Sequence, residues 1–185
     1  MADQQEIRCF VGIPVAVAFV AAVQPVVAQL QTEPWRRKVR WVAPRNWHLT
    51  LAFLGNRSFA FGHDLQAALQ SALPGDLGFE LEGRWVCGFP DAKSRIIALE
   101  FHASPQLLQL KARLDQVLLT LGVELEQRPL RPHLTLGRVR RDQRIHFNPV
   151  LCDAVLSVRE LRLFKSTLAA EGSEYAPLWT LPLSG

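Results

Sequence analysis

Apolar and polar residues change their spacing along this chain in ways that mark out most of its elements. Ile7-Arg8-Cys9-Phe10-Val11-Gly12-Ile13 is a mostly apolar run closed by Pro14, which predicts a largely buried strand. Val17, Val20, Val23, Val27 and Leu30 then recur at helical spacing, with Pro25 expected to kink or divide the helix. Trp41-Val42 fits a short strand, and Pro44-Arg45-Asn46 turns into a strand over 48–54, ended by Gly55-Asn56. A short helix is expected over about 64–73, closed by Pro74-Gly75. Residues 79–89 and 95–101 read as strands around a turn-rich segment, Pro90 to Ser94. The next helix has the clearest ends: Ser104 suits the N-cap, Pro105 the first helical position, and Gly122 the residue past its end. Leu107, Leu110, Leu114, Val117 and Leu121 form its apolar stripe. A strand over 133–139 follows Pro129 and Pro132, and runs over 155–164 and 179–183 close the chain. Strands outnumber helices and several neighbours suit antiparallel pairing, so the fold class is α+β, built of packed layers.

Two of these predicted strands open on the same tetrapeptide. His48-Leu49-Thr50-Leu51 returns as His133-Leu134-Thr135-Leu136, 85 residues later in a chain of 185. Side chains two apart on a strand share a face, so each copy sets His and Thr on one side and two Leu on the other. A duplicated half, each offering one His and one Thr to a shared cleft, accounts for the spacing. The bland alternative is that both are simply good strands, since Leu and Thr suit strands in any case.

Composition narrows the setting. Hydrophobic content of 49% and charged content of 21% are ordinary for a globular chain, and the length fits one domain or two small lobes over a shared core. The longest apolar-rich run, residues 13–30, is interrupted by Pro14, Gln24, Pro25 and Gln29, which argues against a membrane span. Asp3, Gln4, Gln5 and Glu6 precede it, unlike a signal peptide. Cys9, Cys87 and Cys152 are widely spaced and are expected as reduced thiols, which suits a cytoplasmic protein. Nothing in the sequence demands more than a monomer. The net charge of +4 is concentrated in Arg36, Arg37, Lys38 and Arg40, and in Arg138, Arg140, Arg141 and Arg144. A phosphate-bearing partner would suit such clusters, and for the first of them a plain solvated surface fits as well.

Two imidazoles in one cleft supply an acid and a base near neutral pH, which is the machinery of phosphodiester hydrolysis without a metal. A Thr hydroxyl can donate to a nonbridging phosphate oxygen, and an arginine can bind the same anion with its planar fork. Arg138, five residues past His133, is the best-placed arginine. An odd offset on a regular strand puts it on the wrong face, so it reaches the cleft only if the strand bends or bulges at Gly137. The chain lacks a Gly-rich phosphate loop ending in Lys-Ser/Thr, HExxH and Cys/His zinc patterns, and a GxSxG elbow. No metal or other cofactor is expected.

With these residues in hand, the chain resembles the two-histidine phosphoesterase superfamily, and within it the RNA 2′,3′-cyclic phosphodiesterases, also called 2′-5′ RNA ligases. The likeness rests on HLTL at 48–51 and 133–136, supported by RCFVGIP at 8–14, WVAPRNWHLTLAFLG at 41–55, RPLRPHLTLGRV at 128–139 and LFKSTLAAEGSEYAPLWTLPL at 163–183. The resemblance implies a single two-histidine phosphoesterase domain over 1–185. Its two lobes would be antiparallel sheets with outer helices around a central groove, related by a pseudo-two-fold. It also implies opening of a 2′,3′-cyclic phosphate at an RNA 3′ end to leave a 2′-phosphate. His48 would be the proton donor to the departing 3′ oxygen and His133 the proton acceptor that activates water. Thr50 and Thr135 would hold the phosphate, and Phe10 would either stack on the terminal base or serve as ordinary core. The family often carries Trp at the place of Ala98, a departure that bears on base preference. Two other readings stay open: a nucleotide- or RNA-binding module without turnover, and a phosphodiesterase for another small cyclic phosphate.

Overall fold

A computed structural model of the chain describes residues 6–73, 77–169 and 172–183. Pro74-Gly75 and Asp3-Gln4-Gln5, invoked above as a helix stop and an N-terminal signature, lie outside them. The described elements, in order, are β1 (Ile7–Pro14), α1 (Val17–Leu30), β2 (Val39–Trp41), β3 (His48–Arg57), α2 (Phe59–Ala72), β4 (Phe79–Phe89), β5 (Ile96–Phe101), α3 (Pro105–Thr120), β6 (His133–Val139), β7 (Val150–Leu151), β8 (Val155–Val158), β9 (Glu160–Ala169) and β10 (Gly172–Pro182). The fold is α+β. Its strands pair antiparallel in the order β10-β9-β1-β3-β6-β5-β4-β7, with β2 beside β6 and β8 beside β4.

The two motif strands, β3 and β6, are neighbours at the middle of this path, and a single residue pair joins them: Leu49 opposite Leu134. The strand network is therefore continuous, yet its two halves share one rung. Leu49, Leu51, Leu134 and Leu136 are all buried in the same apolar core as Val23 of α1, Leu65 of α2 and Leu110 of α3. Full burial of a leucine contributes about 1.5–3 kcal/mol, so the apolar half of each tetrapeptide anchors the motif strand against the helices. His and Thr are left on the opposite face, only partly covered.

Helix ends follow their local chemistry. Ser104 Oγ accepts from Leu107 N at 3.2 Å, and Pro105 opens α3. At its C-terminus Gly122 takes φ +73°, Val123 N donates to Leu118 O and Gly122 N to Leu119 O, which satisfies carbonyls the helix leaves free. Helix α2 begins at Phe59, earlier than the spacing predicts, because Ser58 Oγ caps Phe61 N at 3.1 Å. Pro25 does not divide α1. It lies on the exposed side, and so does Ala21, whose carbonyl loses its partner and is free to meet water.

Candidate active site

The site is built from two copies of one local design. In β3, Thr50 pairs with Gly12 and Ala52 with Val11, so Leu51 is an extra residue in the ladder. In β6, Thr135 pairs with Ala98 and Gly137 with Ile97, so Leu136 is the extra residue. Each bulge falls on the last leucine of the tetrapeptide and shifts the alternation by one. Leu51 and Leu54 are thus both buried, as are Leu136 and Val139, while Phe53 and Arg138 emerge on the His/Thr face. Strand β2 packs closely over Gly137, which follows the bulge: a Cβ there would lie 2.7 Å from Val39 Cγ1 and 3.3 Å from Trp41 Cε3.

Each histidine is oriented in the same way. His48 Nδ1 lies 2.8 Å from Asn46 O, and His133 Nδ1 lies 2.9 Å from Arg131 O. A carbonyl only accepts, so Nδ1 carries the proton in both rings and donates it to the residue two earlier. The lone pair of the neutral ring is then Nε2. Asn46 is itself held by its side chain, whose Nδ2 donates to Ser173 O at 3.1 Å, tying the β9–β10 hairpin to the carbonyl that sets His48.

The surroundings of the two rings differ. His48 sits among aromatic rings, with centroids 4.6 Å from Phe10, 5.7 Å from Phe164 and 4.7 Å from Tyr175. His133 stacks on Phe89 at 3.8 Å, and the Arg131 guanidinium also lies over that ring, at 4.7 Å. Arg131 pairs with Glu100 at 2.6 Å, one strand away from His133. Burial pushes the His48 pKa down to about 4, offset in part by the Asn46 carbonyl and reinforced by the charges of Arg138 and His133. His133 is also lowered, again chiefly by burial. The Arg131 carbonyl and Glu100 pull it back up, while Arg131 and Arg138 push it down. Arg138 thus lies close enough to act on both histidines.

The structure brings His48, His133 and Arg138 into one electrostatic cluster and puts Thr50 and Thr135 on the same face as the histidines. Phe10 is elsewhere in the arrangement. It is 2% exposed, enclosed by His48, Phe53, Phe164 and Tyr175, and so braces His48 without an open face for a base. The ring that does face outward is Phe53, 69% exposed. Phe53 stands five residues after His48, as Arg138 stands five after His133. Comparing the copies over seven residues, HLTLAFL against HLTLGRV, would have found it. The two basic clusters also meet, because Arg40 of β2 pairs with Arg138 of β6. Among the described residues no group of three or more His, Cys, Asp or Glu is arranged to hold a metal. No helix there is long and apolar enough to cross a membrane. Cys9 and Cys152 are buried, and Cys87 is half-buried with its Sγ 3.6 Å from Glu100 Oε2.

A family model described as the 2′-5′ RNA ligase superfamily matches residues 20–168, a span that includes both tetrapeptides and both bulges. The chain belongs to that superfamily. Among this member's relatives is an RNA 2′,3′-cyclic phosphodiesterase of Escherichia coli, 33% identical over 152 residues, covering 77% of this chain and 80% of the relative. A protein of the same name from Bacillus subtilis is 28% identical over 130 residues, covering 70% and 69%. The crystal structure of E. coli LigT complexed with 3′-AMP superposes with a TM-score of 0.79 at 26% identity, over 98% of this chain and 100% of that one.

Proposed function

We propose that this protein is an RNA 2′,3′-cyclic phosphodiesterase that opens the cyclic phosphate at an RNA end to a 2′-phosphate, with two histidines as its acid and base and no metal. The observation that carries the reading is the duplicated site. Two identical tetrapeptides meet at one strand junction, each histidine is locked through Nδ1 with Nε2 free, and one arginine acts on both. The activity named for the relatives supports the substrate.

In this mechanism His133 Nε2 takes a proton from water as the water oxygen bonds to phosphorus. The bond from phosphorus to the 3′ oxygen breaks, and His48 Nε2 donates a proton to that oxygen. The Thr50 and Thr135 hydroxyls donate to the nonbridging oxygens, and Arg138 offsets their negative charge. Phe53 offers its open face to the terminal base. Burial keeps His48 neutral in the empty groove, so its donor role depends on the phosphate charge that arrives with the substrate.

The test is an RNA oligomer ending in a 2′,3′-cyclic phosphate, incubated with EDTA, beside His48→Ala and His133→Ala. The wild type is expected to yield a 2′-phosphate end, and each variant to lose about 10²–10⁴-fold in rate. A 3′-phosphate product would reverse which oxygen leaves. RNA bound without turnover would replace the enzyme by a binding module, and inhibition by EDTA would refute the metal-free mechanism.

A further inference from the structure

Beyond Arg138 the surface holds a basic trench that the hydrolytic mechanism does not use. A depression of about 340 Å³ is lined by Phe89, Arg95, Ile96 and Arg138, among others. A second, of about 470 Å³, is lined by Lys93, Arg95, Arg141 and Arg144. The two share Ser94, Arg95 and Val139, so they form one path leading away from the histidines. We propose that this trench binds the phosphates of the RNA strand 5′ to the cyclic end, so that the enzyme favours oligonucleotides over cyclic mononucleotides. The proposal rests on the cyclic phosphodiesterase reading and adds to it the strand's route and the residues that hold it.

Three observations favour a polyanion here. First, the trench cations are uncommitted: among the described residues the ion pairs engage Lys111, Arg131, Arg159 and Arg162, and none of Lys93, Arg95, Arg138, Arg141 and Arg144. Second, the nearby carboxylates are turned to local tasks. Asp91 Oδ1 accepts from Lys93 N at 2.8 Å and Ser94 Oγ at 3.1 Å, and Asp142 accepts from Gln143 at 3.0 Å. Neither aspartate lines the trench. Third, the other basic residues brace its wall. Arg140 Nε donates to Arg37 O at 3.3 Å and Lys38 Nζ to Arg144 O at 3.5 Å, fastening the segment after β6 to the one before β2. Arg138 belongs to both the histidine cluster and the trench, so a strand leaving the terminal nucleotide past Arg138 enters the trench directly.

The experiment compares kcat/KM for a tetranucleotide and a mononucleotide 2′,3′-cyclic phosphate over about 50–200 mM salt, in wild type and Arg141→Ala/Arg144→Ala. Each single-strand phosphate contact adds about 0.7 to the salt slope, so losing two should make the oligomer-to-mononucleotide ratio shallower by about 1.4, or about sevenfold across this range. Both side chains are exposed, so an unchanged melting temperature checks the fold of the variant. Binding of an unreactive RNA oligomer with a 2′-phosphate end, followed by fluorescence anisotropy, is measured in parallel. Equal slopes in wild type and variant, or no oligomer preference in the wild type, would overturn the trench proposal. Salt-dependent binding that the variant weakens, without turnover by either protein, would support the trench and refute the catalytic reading.

Discussion

Filling the groove with a phosphate anion should raise the His48 pKa from about 4 to about 7. The free value is set first by burial, and the Arg138 charge lowers it further. A unit negative charge about 4 Å from the ring, at an effective dielectric of about 20, favours the protonated form by about 4 kcal/mol. At 1.36 kcal/mol per unit this is about three pKa units. The anion also offsets Arg138, which acts in the same direction. Histidine side-chain ¹H–¹⁵N spectra across a pH series, with and without saturating 3′-AMP, measure the shift directly, and the His48→Asn spectrum assigns the resonance. Kinetics give a second readout, because kcat/KM reports ionisations of the free enzyme and kcat those of the complex. The kcat optimum should therefore lie at higher pH than the kcat/KM optimum. If His48 in the saturated complex still titrates below about pH 5, it is not the donor; the reasoning fails and the role passes to His133.

Two further outcomes follow from the same geometry. Gly137→Ala forces a Cβ to 2.7 Å from Val39 Cγ1, which should cost about 1–3 kcal/mol in denaturant melts. It should also lower kcat by displacing Arg138, and Val39→Ala in the same chain should restore both. His48 is depressed in the folded state relative to the unfolded one, so its contribution to stability is complete above about pH 6.5 and is lost as pH falls towards about 4. The loss is on the order of 3 kcal/mol, and denaturation at pH 7 and pH 4.5 should show a smaller acid loss in His48→Asn than in wild type.

Legibility in the sequence tracked how local the determining chemistry was. The ends of α3 were readable because Ser104, Pro105 and Gly122 each act on the adjacent backbone. The ends of β4 were readable too, since its residues alternate and turns bound it. The β9–β10 hairpin was only partly visible. Residues 165–169 and 172–178 are mostly exposed or half-buried, so no core face imposes alternation, and Pro177 sits at a register shift. The two residues of β7 are too few for any period. The roles of the +5 positions depended on pairing. Arg138 was readable only as a condition on Gly137, and Phe53 was hidden because its exposure comes from a bulge defined by Gly12 and Val11 across the ladder. Phe10 illustrates the reverse case, since a mostly apolar strand does not reveal that four aromatic neighbours close over one side chain.

The paired carbonyl locks also bear on how the enzyme readies itself for the next substrate. With Asn46 O holding one Nδ1–H and Arg131 O the other, neither imidazole has a second exit for protons, and all traffic passes through Nε2 into the groove. In the proposed mechanism one hydrolysis leaves His133 charged and His48 neutral, the mirror image of the pattern in the substrate complex. While product fills the groove that mirror pattern persists, and by microscopic reversibility it is the pattern that would close the ring again. Departure of the product thus admits the solvent that discharges His133, while His48, held neutral by burial, regains its proton only when the next phosphate arrives. The forward direction is secured by emptying the groove, and mobile buffer should speed the enzyme only after its product has gone.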